Sequence, residues 1–298
     1  MSHVLTLIAE TDPQALTAAR LSDVCAALPS AGAPDWLAPG RACDIAFAPT
    51  PEVAASHAEA QARAALDGLA VDVVAQPLAG RRKRLLVADM DSTIIQQECI
   101  DEIADFAGVK AQVAGITERA MRGELVFEDA LRERVGLLQG LPESVLQQVF
   151  DERIRLTPGA RELVQTMRAA GATCVLVSGG FTFFTGRIAR KVGFDLDQAN
   201  TLEIADGALT GRVGEPILGR DAKLEALRRL QHERELAREE TLALGDGAND
   251  LAMIKEAGLG VAFHAKPIVA AEAAARIDHG SLRAVLYLQG YRDAEIVG

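Results

Sequence analysis

The sequence has few cysteines, no long hydrophobic run and no basic leader. Its four cysteines form no CxxC pair, so we expect reduced core thiols in a reducing compartment rather than a disulfide framework. No uninterrupted apolar stretch approaches the length of a membrane span, and residues 1–10 lack the basic start of a signal peptide. These absences predict a cytoplasmic protein that does not enter a membrane.

Positive charge is also scarce. The chain carries 31 Lys and Arg against 42 Asp and Glu, which gives a formal charge of −11. A general nucleic-acid binder would present a basic face, so the composition excludes that class. An acidic protein still binds small anions where a metal or a few cationic side chains reverse the local potential. We expect a small-molecule substrate, and the sequence leaves monomer and homodimer open.

The 298 residues are enough for two domains. Residues 1–80 predict a small α+β unit. Its predicted strands lie at 4–9, 43–48 and 69–75, and its predicted helices at 13–28 and 51–66. A glycine and the basic run at 81–84 follow, which we interpret as a domain boundary and a solvated linker.

Residues 81–298 alternate apolar strands with helices, which predicts a doubly wound parallel α/β domain. The clearest strands are at 85–88, 173–177, 241–244 and 260–263. A long helical segment at about 96–157 shows no strand pattern, and we interpret it as a cap inserted over the strand ends. Residues 202–213, with Asp206 and Gly207 at the turn, predict a hairpin.

Two carboxylates, Asp89 and Asp91, follow the first strand of this domain. Ligands of open α/β sheets bind beyond the carboxyl ends of the strands, and adjacent carboxylates repel unless a cation joins them. A carboxylate that attacks phosphorus forms an acyl phosphate, so Asp89 is the candidate nucleophile and Asp91 the candidate acid and base. The alternative is that Asp91 or Ser92 caps a helix starting near Ile94.

A glycine-rich acidic loop follows a second buried strand. Asp246 is placed to reach the same cation as Asp89, Asn249 offers an amide to a ligand, and Asp250 would support the metal or its waters. A helix cap before residue 251 would explain one of these residues but not the whole set. Oxygen ligands without a His or Cys cluster favour magnesium over zinc.

Two further features suit a phosphate. Ser178, Gly179 and Gly180 follow a third strand and supply a hydroxyl and backbone N–H groups at a helix start. Lys223 opens a helix, where the helix dipole does not favour a cation, which indicates a partner charge. Taken alone, either feature is also typical of an ordinary turn or a solvated lysine.

These motifs, taken in order, resemble the four motifs of the haloacid dehalogenase superfamily of phosphatases. The resemblance implies that Asp89 is phosphorylated and that Asp91 protonates the leaving oxygen and then activates water. It implies further that Ser178 and Lys223 hold the phosphoryl group. The metal would bind Asp89, Asp246 and the backbone carbonyl of Asp91.

The predicted cap contains residues that indicate the chemical class of the substrate. Phe127 and Arg134 share one helical face, where a guanidinium among apolar residues either extends to solvent or binds a carboxylate. Residues 95–102 and 121–124 resemble the cap of phosphoserine phosphatases, which implies that Glu98 binds the ammonium and Arg134 the carboxylate of the substrate. Met121 and Phe127 join the implied substrate contacts.

The resemblance implies a magnesium-dependent hydrolysis of O-phospho-L-serine, the last step of serine biosynthesis. A phosphotransferase with the same phospho-Asp89, passing the group to an alcohol such as homoserine, fits the same motifs. An amino-acid sensor without catalysis is the alternative of another class. Residues 1–80 resemble the regulatory amino-acid-binding ACT fold, but the predicted unit is one strand short of it and residues 10–13 lack the expected glycine-containing ligand loop. Packing or dimer formation is therefore the simpler interpretation.

Overall fold

The computed structural model describes residues 1–50, 54–121, 124–219 and 221–298, with the side chain of Met121 left out. The amino-terminal unit has a βαββαβ order and one antiparallel sheet in the order β2-β3-β1-β4, a ferredoxin-like arrangement. Its elements are β1 (His3–Ile8), α1 (Ala18–Ala27), β2 (Asp35–Ala38), β3 (Ala42–Phe47), α2 (Ala55–Ala65) and β4 (Asp72–Pro77). Strand β2 was not predicted, because it is a four-residue, half-exposed edge strand with a register shift. Helix α2 corresponds to the predicted helix at 51–66, of which residues 51–53 lie outside the described residues.

The larger unit is built on a parallel sheet in the order β12-β11-β10-β5-β6-β7. The α/β prediction is therefore confirmed. The strands are β5 (Leu85–Ala88), β6 (Thr173–Phe181), β7 (Leu196–Asn200), β10 (Thr241–Gly245), β11 (Leu259–Phe263) and β12 (Ala275–Ile277). The helices around it are α7 (Ala160–Ala169), α8 (Thr182–Val192), α9 (Ala222–Glu233), α10 (Leu251–Glu256), α11 (Pro267–Ala270) and α12 (Ala284–Leu288).

Strand β5 shows why the sheet carries layers on both faces. Leu85 and Val87 pack into a core with Leu227 of α9, whereas Leu86 and Ala88 point into the opposite core. Successive side chains of a strand leave opposite faces of a sheet, so an all-apolar strand must be covered twice. The continuous apolar run that ends at Ala88 is the direct consequence.

A helical cap occupies the connection between β5 and β6. It contains α3 (Cys99–Phe106), α4 (Lys110–Met121), α5 (Phe127–Gly136) and α6 (Ser144–Glu152). An isolated bridge between Ile95 and Leu156 closes its base. The helix expected near Ile94 begins at Cys99 instead, because residues 90–94 form a wide turn in which the Ile95 N–H donates to the Met90 carbonyl.

The predicted hairpin consists of β8 (Leu202–Ala205) and β9 (Ala208–Val213). Asp206 and Gly207 at its turn both have positive φ, 51° and 74°, as a type I′ turn requires. The Leu209 carbonyl accepts a hydrogen bond from the Gly140 N–H, and the Leu209 N–H donates to the Leu141 carbonyl. The hairpin is therefore hydrogen-bonded to the connection between α5 and α6 of the cap.

The basic run at 81–84 is only in part the solvated linker that we expected, because Arg82 and Arg84 are exposed but Arg81 and Lys83 are not. Arg81 and Asp44 form an ion pair at 2.6 Å with both side chains only 10 % exposed, and Arg81 also donates to the carbonyls of Tyr287 and Leu288. Lys83 is buried and donates to two backbone carbonyls. Residues of the amino-terminal sheet, such as Ile8 and Val74, also belong to the main hydrophobic core, so the two units are packed together.

Candidate active site

A cavity of about 240 Å³ lies at the carboxyl edge of the parallel sheet. Strand β5 is the central strand there, with β10 on one side and β6 on the other. Residues from the ends of these strands and from the cap therefore meet in one place. The predicted residues in the cavity wall are Asp89, Asp91, Glu98, Phe127, Arg134, Ser178, Gly179, Gly180, Asp246 and Asn249.

Asp89, directly after β5, is 5 % exposed. Its Oδ1 accepts a hydrogen bond from the backbone N–H of Met90 at 2.7 Å and forms an ion pair with Lys223 Nζ, also at 2.7 Å. Burial raises the pKa of Asp89, and the nearby Asp250 raises it further, against the opposing effect of Lys223. Among the described residues no donor contacts its Oδ2, so one oxygen is fixed and the other faces the site.

Lys223 lies at the start of α9 with only 4 % of its surface exposed. Its Nζ contacts Asp250 Oδ1 at 2.5 Å as well as Asp89. Burial alone would lower the pKa of Lys223, but Asp250 and Asp89 together raise it. The two carboxylates are the partner charges that its unfavourable position in the helix had indicated.

Asp250 anchors the glycine-rich loop. Its Oδ1 pairs with Lys223, and its Oδ2 accepts the backbone N–H groups of Asp246 and Gly247 at 3.1 and 3.0 Å. A Cβ at Gly245 would lie 2.4 Å from Asp250 Cγ, so only glycine allows this approach. Both oxygens of Asp250 are thus committed to protein groups, which suits support of the metal better than direct ligation.

The donor set fits a hard cation. Oxygen atoms of Asp89, Asp246 and Asp250 lie within 4.8 Å of one another. Burial and then the charge of Asp250 raise the pKa of Asp246 to about 6, against the opposing effects of Lys266 and Lys223. Crowded carboxylates with no imidazole or thiol among them are typical ligands of a divalent ion that prefers oxygen.

Asp91 is oriented from two sides. Its Oδ1 accepts the Cys99 N–H at 2.9 Å, and its Oδ2 accepts the Ser178 hydroxyl at 3.2 Å. Burial and then the charge of Glu98 raise the pKa of Asp91 to about 6. A carboxyl group with such a pKa exchanges protons readily near neutral pH.

Ser178, Gly179 and Gly180 lie within strand β6, which runs to Phe181. The predicted loop is therefore the end of an extended strand, with α8 starting directly after it. A Cβ at Gly180 would lie 2.9 Å from Asp91 Oδ2, and one at Gly179 would lie 3.1 Å from the Phe127 ring. The two glycines leave the backbone open to a ligand.

Arg134 and Glu98 reach the cavity from the cap. Arg134 donates to the Ala130 carbonyl at 3.1 Å and lies 3.5 Å from the Thr117 hydroxyl oxygen, and burial lowers its pKa. Glu98 is exposed and accepts a hydrogen bond from the Ser92 hydroxyl at 2.6 Å. A cation and an anion therefore line the same cavity. The side chain of Met121, also predicted here, lies outside the described residues.

Three wall residues with polar side chains were not predicted: Asp101, Thr117 and Lys266. Thr117 belongs to α4 and Lys266 precedes α11, so only the folded chain brings them to the site. Asp101 stands one helical turn after Glu98, and this spacing was a usable signal. No helix in the described ranges is long and apolar enough to cross a membrane.

Comparison with known proteins gives one family. The haloacid dehalogenase-like hydrolase family matches residues 86–255. A phosphoserine phosphatase of Polaromonas sp. is 47 % identical over 226 residues, which cover 74 % of this chain and 96 % of that protein.

Other relatives are longer. A phosphoserine phosphatase of Streptomyces coelicolor is 48 % identical over 233 residues, and the match covers 78 % of this chain but 57 % of that protein. The chain thus spans less than two thirds of the length of some curated relatives that it matches. The structure of a probable phosphoserine phosphatase from Vibrio cholerae superposes with a TM-score of 0.78 at 34 % identity, covering 99 % of this chain and 88 % of that one.

Proposed function

This chain belongs to the haloacid dehalogenase-like hydrolase family, and we propose that it hydrolyses O-phospho-L-serine to L-serine and phosphate. The relatives from Polaromonas and Streptomyces are phosphoserine phosphatases, which supports the substrate. The observation that carries the proposal is that Glu98 and Arg134 line the same cavity as Asp89. A phosphate ester with an ammonium and a carboxylate complements these groups.

Three subsites follow from the charges. The phosphoryl group would lie beside Asp89, within reach of Ser178 and the backbone of Gly179 and Gly180. The carboxylate would pair with the guanidinium of Arg134, a planar fork that suits two oxygens. The ammonium would lie against Glu98. Phe127, next to Gly179, would cover the substrate on the apolar side. Asn249 lines the same cavity, and Met121 stays a predicted contact.

In the first step an Asp89 oxygen attacks phosphorus, and the bond from phosphorus to the serine oxygen breaks. Asp91, protonated at this stage, gives its proton to that leaving oxygen. Its hydrogen bonds to the Cys99 N–H and the Ser178 hydroxyl hold it in place for this transfer. The products of the step are serine and phospho-Asp89.

In the second step Asp91, now ionised, takes a proton from water as the water oxygen attacks phosphorus. The bond from phosphorus to the Asp89 oxygen breaks, and phosphate is released. Lys223 faces Asp89 throughout and compensates negative charge at the reacting centre. Its second contact, with Asp250, holds it in this position.

We propose magnesium as the metal, held by Asp89, Asp246 and the backbone carbonyl of Asp91, with Asp250 supporting the loop. When bound, it would neutralise phosphoryl oxygens and orient the phosphate. Carboxylate oxygens of Asp89 and Asp246, which lie within 4.8 Å of each other, supply the oxygen ligands that magnesium requires.

The test is phosphate release from O-phospho-L-serine with magnesium. We expect turnover by the native protein, none by Asp89→Asn, and full turnover by Asp67→Asn, an exposed control in the amino-terminal unit. O-Phosphoethanolamine, which lacks the carboxylate, should be a poorer substrate, and Arg134→Met should remove that preference. Phosphate release that persists in Asp89→Asn would overturn the proposal.

Product analysis with homoserine present separates hydrolysis from phosphoryl transfer. Free phosphate supports the hydrolase, whereas phosphohomoserine in excess of phosphate would support the transferase. Serine binding in a calorimeter without any turnover would support a sensor. The intact pairing of Lys223 with Asp89 and Asp250 argues against the sensor, because binding alone needs no such buried charges.

A further inference from the structure

Ser92 is a motif residue that the reaction scheme leaves without a role. It directly follows Asp91 and adopts a left-handed backbone conformation, with φ 54° and ψ 5°. This conformation is unfavourable for residues other than glycine. Such outliers cluster at functional sites, where the surrounding structure holds them.

The unusual backbone directs the Ser92 hydroxyl at the cap. Its Oγ donates a hydrogen bond to Glu98 Oε1 at 2.6 Å. This distance is typical of a strong bond from a hydroxyl to a charged carboxylate. The Ser92 N–H donates to the Gln97 carbonyl at 3.2 Å, and Asp91 Oδ1 accepts the Cys99 N–H. The turn after β5 therefore holds three consecutive residues at the start of the cap.

Glu98 is the residue before helix α3, and its side chain makes no capping hydrogen bond. The side chains that commonly accept an N–H of the first helical turn from this position are those of Ser, Thr, Asp and Asn. Here Asp91 accepts the first N–H, that of Cys99, and the Ser92 hydroxyl holds the Glu98 carboxylate. One Glu98 oxygen is fixed in this way, and the other is left for a ligand in the cavity.

We propose that Ser92 is a positioning residue for the substrate's ammonium group: its hydroxyl fixes the Glu98 carboxylate in the cavity wall. This inference rests on the proposed function, since it assumes a substrate with an ammonium group. Ser92 itself touches neither the phosphoryl group nor the metal in this account. It acts on specificity through Glu98.

Ser92→Gly is the informative variant, because glycine keeps the left-handed backbone without strain and removes only the hydroxyl and Cβ. The matched control is Ser30→Gly, an exposed serine of the amino-terminal unit with φ 52°. Both variants should unfold at or above the native temperature. If the measured unfolding temperatures agree with this expectation, a loss of activity in Ser92→Gly is not caused by unfolding.

The assay compares two substrates, O-phospho-L-serine and 3-phosphooxypropanoate, which is the same molecule with hydrogen in place of the ammonium group. In Ser92→Gly we expect kcat/KM for phosphoserine to fall about tenfold, mainly through KM, as for one hydrogen bond to a charged group. The kcat/KM for 3-phosphooxypropanoate should not change. In a Glu98→Gln background, Ser92→Gly should have no further effect, because both changes act on one interaction.

The outcomes separate this inference from the proposed function. If the native protein prefers phosphoserine but Ser92→Gly does not weaken that preference, only the role of Ser92 is wrong. An equal loss of kcat/KM with both substrates would mean that Ser92 only maintains the backbone turn. That result would also overturn its role in positioning Glu98. If the native protein releases no phosphate from phosphoserine, the proposed function fails and the inference fails with it.

Discussion

Lys223→Met tests the charge arrangement beneath the site. The side chains of Lys223, Asp89 and Asp250 are 5 %, 7 % and 0 % exposed, and the lysine contacts the carboxylates at 2.7 and 2.5 Å. Water screens such contacts very little. Removing the cation leaves two buried carboxylates together, and breaking a buried pair by deleting one partner costs about 3–5 kcal/mol.

We therefore expect Lys223→Met to lose about 3–5 kcal/mol of unfolding free energy in urea without metal. The control is Lys255→Met, which deletes one side of a half-exposed pair with Glu272 and should cost less than about 1 kcal/mol. Adding Asp250→Asn to Lys223→Met should restore at least about 1 kcal/mol, because one of the unpaired charges is then gone.

Equal stability of Lys223→Met and Lys255→Met in metal-free urea titrations would contradict a stabilising role for the buried lysine. So would a further loss of stability when Asp250→Asn is added to Lys223→Met. In that case Asp250 would act through its hydrogen bonds to the loop, and the buried charges would not determine the stability of the site.

Two further changes test the positions of side chains around the site and between the units. Gly180→Ala should lower kcat about a hundredfold, because its Cβ would displace the Asp91 and Ser178 side chains. The control is Gly115→Ala, which has nothing within 4 Å of the new Cβ and should retain full activity. Equal kcat values for the two variants would contradict the close approach of Gly180 to Asp91 and Ser178. Arg81→Met should cost about 3–5 kcal/mol in urea unfolding, because it leaves a buried aspartate unpaired. Arg84→Met, in an exposed pair, should cost less than about 1 kcal/mol, and equal losses would contradict the packing of the two units.

The sheet and its catalytic edge were predictable from the sequence because the signals are local. An apolar run ending in Asp89, a second ending in Asp246 and a third before Ser178 place polar groups at neighbouring strand ends in any parallel sheet. The spacing of Phe127 and Arg134 likewise put both side chains on one face of a helix.

Features set by tertiary packing were not predictable. Charged residues are usually exposed, so the burial of Arg81 and Lys83 contradicts composition-based reasoning and depends on partners far along the chain. Strand β2 is too short to show a period. Ser92 adopts the left-handed conformation against its ordinary preference because its hydrogen bonds to Gln97 and Glu98 hold it there.

The most direct test of the central claim is to identify the phosphorylated residue during turnover. The protein is mixed with O-phospho-L-serine and magnesium, quenched with acid within one turnover, and digested for mass spectrometry. We predict one phosphoryl group on Asp89, absent when Asp89→Asn is treated in the same way. A phosphoryl group on another residue, or turnover with no phosphorylated protein at any time, would contradict it.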